Sequence, residues 1–198
     1  MGMAKLDEYL ASSEYIDWQH PDVLAKARVL SEELDTPIDI ARACFAFVKD
    51  EIKHSWDYQL NPVTCRASDV LAHRTGYCYA KSHLLAALLR ANGIPAGLCY
   101  QRLTSVTPSQ YCLHGLNAVY LQEFGWYRVD ARGDKPGVNA AFCPPQEQLA
   151  YAATAEGEAD LPEIWPAPLP VVVDRLTGYE TYQAVAENLP DVPLLSFR

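Results

Sequence analysis

The order of hydrophobic and polar positions divides the chain into a helical first half and a strand-rich second half. As far as Gly93, apolar residues recur every three or four positions, which is typical of amphipathic helices. Beyond Gly93 they recur at every second position, which is typical of strands with one buried face. Helices are predicted over 21–34, from Thr36 to about 52, and from Cys78 to 91. Strands are predicted over 94–104, 113–121 and 125–131.

The chain beyond the third strand has a different composition. Residues 144–170 are rich in proline and acidic residues and contain few strong apolar anchors. We interpret them as a surface wrap or lid, with one helix near 146–153, and not as a second domain. The run Val171-Val172-Val173 predicts a fourth strand. A last helix is predicted over 179–189.

Helices followed by antiparallel strands indicate the α+β class. A length of 198 residues suits one domain, here predicted over 1–198 with its core at about 37–135. Hydrophobic residues make up 49% of the chain, an ordinary value for a globular protein. The chain can therefore bury a full core without stabilising disulfides.

The charge and hydropathy of the chain exclude several classes of partner. The formal net charge is −9 and no run of basic residues is present, which argues against nucleic acid and anionic membrane surfaces. No apolar stretch approaches the roughly 18 residues that span a bilayer. Residues 1–13 lack the apolar region of a secretory signal. We therefore expect a cytoplasmic protein without a membrane or nucleic-acid partner.

The cysteines are widely spaced and include no C-x-x-C pair. In the reducing cytosol such cysteines stay as free thiols, so a disulfide framework is not expected. The paired ligand spacing of a zinc site is missing as well. We therefore predict no metal and no cofactor.

One cysteine has a distinctive setting. Cys78 follows the turn Arg74-Thr75-Gly76 and opens the apolar helix that ends at Asn92-Gly93. A thiol at a helix N-terminus lies near unpaired backbone N–H groups and the positive end of the helix dipole, and both favour the thiolate. The same N–H groups can stabilise an oxyanion on a carbonyl that the sulfur attacks. Cys78 is therefore a candidate nucleophile.

The predicted strands offer this cysteine a base. A hairpin centred near Gln122 would place His114 opposite Asp130, on one face of the sheet. The carboxylate could then orient the imidazole and stabilise its charged form. A cysteine at a helix start, a strand histidine and a strand aspartate together form a candidate catalytic triad.

Other residues compete for these roles. His83 lies five positions after the cysteine on the same helix, so we interpret it as a packing or surface residue. His73 could act only if its loop folded back. His20 and His54 lie at the edges of elements and are expected to be solvated. Asp134 lies in a predicted turn beyond the strand.

These residues carry a resemblance to a known family. The run from Gly76-Tyr77-Cys78 through Gly93-Ile94-Pro95 resembles the transglutaminase-like core of the papain-like cysteine enzymes, which includes bacterial proteins provisionally named cysteine proteases. His114 before a strand and Gly125-Trp126-Tyr127-Arg128-Val129-Asp130 after it resemble the other two motifs. The match covers roughly residues 40–135. The residues just after Cys78 and His114 depart from the family pattern.

The resemblance implies a papain-like α+β fold whose nucleophile helix packs against an antiparallel sheet. It implies that Cys78 is the nucleophile, His114 the general base and Asp130 the orienting acid. It also implies an upstream residue that helps the oxyanion, for which Tyr58 is preferred over Trp56 and Gln59. The expected reaction is acyl transfer from a peptide or small amide, by hydrolysis. Transamidation and a non-catalytic peptide-binding module remain the alternatives.

Overall fold

A computed structural model describes residues 6–105 and 110–194. After a short 3₁₀ turn at Asp7–Tyr9, helices and strands follow in two groups. The helices are α1 (Pro21–Ser31), α2 (Pro37–Glu51), α3 (Ser55–Tyr58), α4 (Ala67–His73), α5 (Cys78–Ala91), α6 (Pro170–Gly178) and α7 (Tyr182–Ala186). The strands are β1 (Lys53–His54), β2 (Thr75–Gly76), β3 (Ala96–Thr104), β4 (Tyr111–Leu121), β5 (Gly125–Val129), β6 (Ala141–Cys143), β7 (Gln146–Gln148) and β8 (Ala159–Asp160).

The largest sheet is antiparallel and has the strand order β5-β4-β3-β8. Two smaller pairs lie outside it: β1 runs parallel to β2, and β6 forms a hairpin with β7. The β1–β2 pair ends at Gly76, directly before the start of α5. It therefore anchors the turn that leads into Cys78.

Helix α5 forms the centre of the molecule. It contacts α1, α2 and α4 on one side and strands β3 and β4 on the other. Leu84, Leu85 and Leu88 have no exposed surface, and full burial of such a side chain contributes roughly 2 kcal/mol. The predicted α+β fold, with the helix that begins at Cys78 packed on an antiparallel sheet, is confirmed.

The start signal at Thr36 is also confirmed. Its hydroxyl oxygen accepts a hydrogen bond from the backbone N–H of Asp39 at 3.2 Å, and Pro37 occupies the first turn of α2. The capping bond satisfies one of the backbone donors left open at a helix start. Local chemistry alone was sufficient to predict this boundary.

Two predictions in the last third of the chain are wrong. The valine run 171–173 belongs to helix α6, because Pro170 opens the helix and Val172 and Leu176, one turn apart, pack into the core. The helix predicted near 146–153 is instead strand β7 followed by irregular chain. Its residues are held by pairing with β6, which a helical pattern in a short window does not reveal.

The acidic, proline-rich segment follows the edge of the sheet. Its strand β8 pairs with Gln101 and Arg102 of β3, and Trp165 exchanges backbone hydrogen bonds with Leu98 of the same strand. The segment thus covers the edge that β3 would otherwise expose. Among the described residues, no helix is both long and apolar enough to cross a membrane.

A close approach between α5 and β4 depends on Gly115. A Cβ atom at this position would lie 2.9 Å from Cδ1 and 3.0 Å from Cα of Tyr79. Tyr79 is buried, and its hydroxyl donates to the backbone carbonyl of Leu113. Neither the ring nor the backbone of Tyr79 can move away easily, so only glycine fits here.

We therefore predict that Gly115→Ala lowers the free energy of unfolding by about 2 kcal/mol, because the added methyl group overpacks the α5–β4 contact. Urea denaturation followed by circular dichroism measures this change. Gly178→Ala is the matched control, since a Cβ there meets open space. Equal unfolding midpoints for Gly115→Ala and the parent protein would contradict the prediction.

Candidate active site

Cys78 is the first residue of α5, and its side chain is almost buried, with 7% of the residue exposed. The N-cap residue Tyr77 makes no side-chain capping hydrogen bond. The first backbone N–H groups of the helix therefore lack a side-chain acceptor beside the sulfur, as an oxyanion site requires. The backbone N–H of Gly115 donates to Sγ of Cys78 at 3.4 Å, which ties the thiol to β4.

His114 and Asp130 are in contact, although not in the register that we predicted. Nε2 of His114 lies 2.7 Å from Oδ2 of Asp130. Asn117 of β4 pairs with Val129 of β5, so the continued register places Asp130 beside Leu116 and not opposite His114. The predicted hairpin centre was therefore wrong. Because the pairing shifts by two residues, both side chains still share one face and meet diagonally.

Asp130 is fully buried and has three hydrogen-bond partners. Besides His114, the backbone N–H of Arg132 donates to Oδ1 at 3.1 Å and that of Ala150 donates to Oδ2 at 3.0 Å. Burial alone would raise the pKa of Asp130, but His114 and these N–H donors outweigh it and hold the pKa below its ordinary value. The carboxylate is therefore ionised at neutral pH.

His114 is correspondingly held in its charged form. Burial disfavours the imidazolium, yet the charges of Asp130 and Cys78 and its hydrogen bonds to both raise its pKa to about 10. Because Nε2 is engaged by Asp130, Nδ1 is the ring nitrogen left for the thiol. The ring of Tyr151 meets His114 edge to face, with 5.0 Å between ring centroids, and covers the imidazole from the outside.

Cys78 and His114 border a groove of about 480 Å³, a volume typical of small-molecule and peptide sites. Asp130 is fully buried and does not line it. The lining also includes the aliphatic side chains of Leu103, Leu113 and Leu189 and the charged side chains of Arg132, Lys135 and Glu158. The groove therefore presents both apolar and charged groups beside the thiol.

Comparison with known proteins identifies the family of this chain. The profile of the transglutaminase-like superfamily matches residues 25–131, more than half of the chain. The chain belongs to the transglutaminase-like superfamily. The resemblance inferred from the cysteine, histidine and aspartate motifs is thereby confirmed. No curated protein matches the chain.

Solved structures show the transglutaminase-like fold at low sequence identity. A provisionally named cysteine protease from Cytophaga hutchinsonii is 20% identical, with a TM-score of 0.53, over 65% of this chain and 42% of the other. The periplasmic domain of TgpA from Pseudomonas aeruginosa is 22% identical, with a TM-score of 0.50, over 66% and 48%. The chain thus spans less than half the length of either structure.

The remaining cysteines differ from Cys78 in their surroundings. Burial raises the pKa of Cys44, Cys65 and Cys99 to about 12. Burial and the nearby charge of Cys78 raise the pKa of Cys112, which also lines the groove, to about 11. These four thiols stay protonated at neutral pH and are therefore weak nucleophiles. Cys143 is exposed on β6, away from the groove.

The competing acid and base candidates lie elsewhere in this transglutaminase-like fold. His83 is fully buried, and Nδ1 of its ring lies 2.8 Å from the backbone carbonyl oxygen of Cys65, so it is a packing residue as predicted. Burial lowers its pKa to about 4. Asp134 forms an ion pair with Lys49 at 2.7 Å. His73 is exposed at the end of α4.

Of the three candidates for the oxyanion residue, only Trp56 lines the groove. Tyr58 is 54% exposed, and its ring lies under Nζ of Lys53 at 4.3 Å. It borders a separate cavity behind the site. Gln59 is an exposed residue with a left-handed backbone conformation. The structure therefore does not bring the preferred candidate, Tyr58, to Cys78.

A group of ionisable residues at the groove, of which all but Asp57 line it, was not found by the sequence analysis. We call it the Asp57 cluster: Asp57 with His54, Arg132 and Lys135. The Arg132 guanidinium binds both carboxylate oxygens of Asp57, at 2.7 and 3.0 Å. His54, expected to be solvated, is buried and lines the groove, so that expectation was wrong. In the sequence, the one indication that Arg132 lies near the candidate site was its position two residues after Asp130.

The raised pKa of His114 leads us to predict how its ring titrates. We expect the His114 ring to keep both protons until about pH 10 in the parent protein. In Asp130→Asn the ring should lose its second proton at least ~1 pH unit lower, because the neutral amide no longer stabilises the imidazolium. Ring ¹⁵N chemical shifts measured by NMR across pH 5–11 follow both titrations.

The same shift has a consequence for stability. The pKa of His114 is higher in the folded chain than the ordinary value of about 6.5. The stabilising effect of its charge is thus fully present below pH ~6.5 and is lost as the pH rises toward 10. A ring that titrates near pH 6.5 in the folded parent, or one unaffected by Asp130→Asn, would contradict this description.

Proposed function

We propose that this transglutaminase-like chain is a cysteine-dependent acyl-transfer enzyme that hydrolyses an amide or peptide bond. Cys78 is the nucleophile, His114 the general acid and base, and Asp130 the residue that orients His114. The observation that carries the proposal is the buried His114–Asp130 contact of 2.7 Å beside a thiol at a helix N-terminus. The raised pKa of His114 supports the same assignment, since a charged imidazole is the proton donor that the first step needs.

In the first half of the reaction, the Cys78 thiolate attacks the carbonyl carbon of the substrate. The developing oxyanion is stabilised by the open N–H groups at the start of α5. His114 gives its Nδ1 proton to the leaving nitrogen, the C–N bond breaks, and the amine departs. The product is a thioester between the acyl group and Cys78.

In the second half, His114 is neutral and can act as a base. It takes a proton from a water molecule, whose oxygen attacks the thioester carbonyl. The C–S bond breaks, the carboxylic acid leaves, and the thiolate–imidazolium pair is restored. Asp130 keeps its charge throughout and holds Nε2–H, so that Nδ1 always faces the sulfur.

The groove suits a short acyl segment. Its volume of about 480 Å³ and its aliphatic lining at Leu103, Leu113 and Leu189 fit a peptide or a small amide. The cytoplasmic location remains a prediction from the sequence.

Turnover of a panel of peptide, amide and ester substrates tests the proposal. We expect the parent protein to release an acid and an amine from at least one member, and Cys78→Ala to release none. His114→Ala should lower kcat by about 10³-fold, the usual scale for loss of an acid–base residue. His73→Ala, which alters an exposed histidine outside the groove, is the matched control and should keep full activity.

Addition of a primary amine distinguishes hydrolysis from transamidation. If water is the normal acceptor, millimolar methylamine should leave the acid as the main product of the parent enzyme. If an amide is the main product, the proposed reaction is transamidation and not hydrolysis, and the assignment of the triad is unchanged. Turnover that survives in Cys78→Ala would contradict both forms of the proposal.

A further inference from the structure

A second histidine borders the groove that Cys78 and His114 line. His54 is at the end of β1, and its ring meets the ring of Tyr77 edge to face, with 5.5 Å between centroids. Only 7% of the residue is exposed, and it borders the same groove as Cys78. Nothing in the proposed reaction uses this side chain.

The two ring nitrogens of His54 have different surroundings. His54 separates the groove from a smaller cavity of about 180 Å³, which Asp57 borders without reaching the groove. Nδ1 lies 3.7 Å from Oδ2 of Asp57 and is buried without a hydrogen-bond partner. Nε2, on the other edge of the ring, makes no hydrogen bond to any residue within 6–105 and 110–194. The ring thus turns one nitrogen toward Asp57 and leaves the other for the groove.

The charge state of His54 follows from its neighbours. Burial and the nearby Arg132 guanidinium lower its pKa well below the ordinary value, and Asp57 opposes them only in part. At neutral pH the ring is therefore neutral, with one N–H and one lone pair. We assign the proton to Nδ1, because a carboxylate at 3.7 Å favours a donor on that side. Nε2 is then a hydrogen-bond acceptor.

The orientation of His54 is supported from behind. Asp57 is held by both nitrogens of the Arg132 guanidinium, and the backbone N–H of Arg132 donates to Asp130. A continuous series of polar contacts therefore connects the carboxylate behind His54 to the carboxylate behind His114. Such support fixes the position of a groove-facing side chain before substrate binds.

We infer that His54 is a specificity-determining residue, whose Nε2 accepts a hydrogen bond from an N–H group of the substrate next to the carbonyl that Cys78 attacks. The inference rests on the proposed function, and it assigns amides in preference to esters as substrates. An amide brings the N–H that the groove-facing acceptor lacks, whereas an ester of the same shape leaves the acceptor unpaired.

Two alkylating reagents of similar size test this assignment without a known substrate. Iodoacetamide has an amide N–H beside its carbonyl, and methyl iodoacetate has an ester oxygen in the same place. The quantity measured is the amide-to-ester ratio of alkylation rates at Cys78, divided by the same ratio at the exposed Cys143. Peptide mass spectrometry gives both ratios from one sample. Dividing one ratio by the other cancels the difference in intrinsic reactivity between the two reagents.

In the parent protein we expect the Cys78 ratio to exceed the Cys143 ratio by about 10-fold, the scale of one hydrogen bond. His54→Phe keeps a flat ring but removes the acceptor, so the two ratios should become equal. His54→Gln keeps an acceptor oxygen near the position of Nε2 and should retain most of the preference. His73→Phe makes the same replacement at an exposed histidine and should change nothing.

The possible failures are distinct. Equal ratios at Cys78 and Cys143 in the parent protein would overturn the role of His54. This result is obtained with the parent protein alone, so it does not depend on whether a variant folds. A preference that persists in a folded His54→Phe would overturn it as well. If Cys78 reacts no faster than Cys143 with either reagent, the proposed function itself fails, and the inference fails with it.

Discussion

The buried contact between His114 and Asp130 is the interaction on which the rest of the site depends. Two charged groups out of water lose several kcal/mol of hydration each, and their attraction offsets this only when the remaining hydrogen bonds are satisfied. Asp130 meets that condition through the N–H groups of Arg132 and Ala150. The surrounding chain, including the start of the irregular segment at Ala150, is therefore arranged to keep one carboxylate charged beside one imidazole.

The position of Cys78 depends on a different constraint, the close packing of α5 against β4. Gly115 lets the first turn of the helix approach the strand, and its N–H then reaches the sulfur at 3.4 Å. His114 is the neighbouring residue, so the same strand supplies the proposed base. The proposed nucleophile and base are thus fixed relative to one another by a helix–strand contact in the core, while the ring of Tyr151 lies edge to face against His114.

Much of this arrangement could be predicted from the sequence, because it depends on local signals. The Thr36-Pro37 start defines the beginning of α2. The Asn92-Gly93 stop and the change of period after Gly93 define the end of the central helix α5 and the start of its sheet. The prediction from the sequence that His114 and Asp130 lie on the same face of the sheet is correct, although the predicted strand register was off by two residues. The alternation of side chains along a strand determines which face of the sheet each residue occupies, whereas the geometry of the turn determines which residues pair.

What the sequence did not reveal depends on contacts between distant segments. The valine run 171–173 is typical of a strand, yet its packing against the core makes it a helix. His54 looked like a residue at an element edge, and only the fold shows that α3, β2 and Arg132 enclose it. The Asp57 cluster joins residues 75 positions apart, as in the Arg132–Asp57 hydrogen bond. No local pattern encodes such a pair.

The central claim is that acyl groups pass through a thioester on Cys78. Rapid quenching in acid during turnover of the best amide substrate, followed by peptide mass spectrometry, tests it most directly. We predict an acyl adduct on the Cys78 peptide alone, removed by hydroxylamine and absent when His114, the proton donor of the first step, is replaced by alanine. Turnover with no adduct on Cys78, or with the acyl group on another cysteine, would contradict the account.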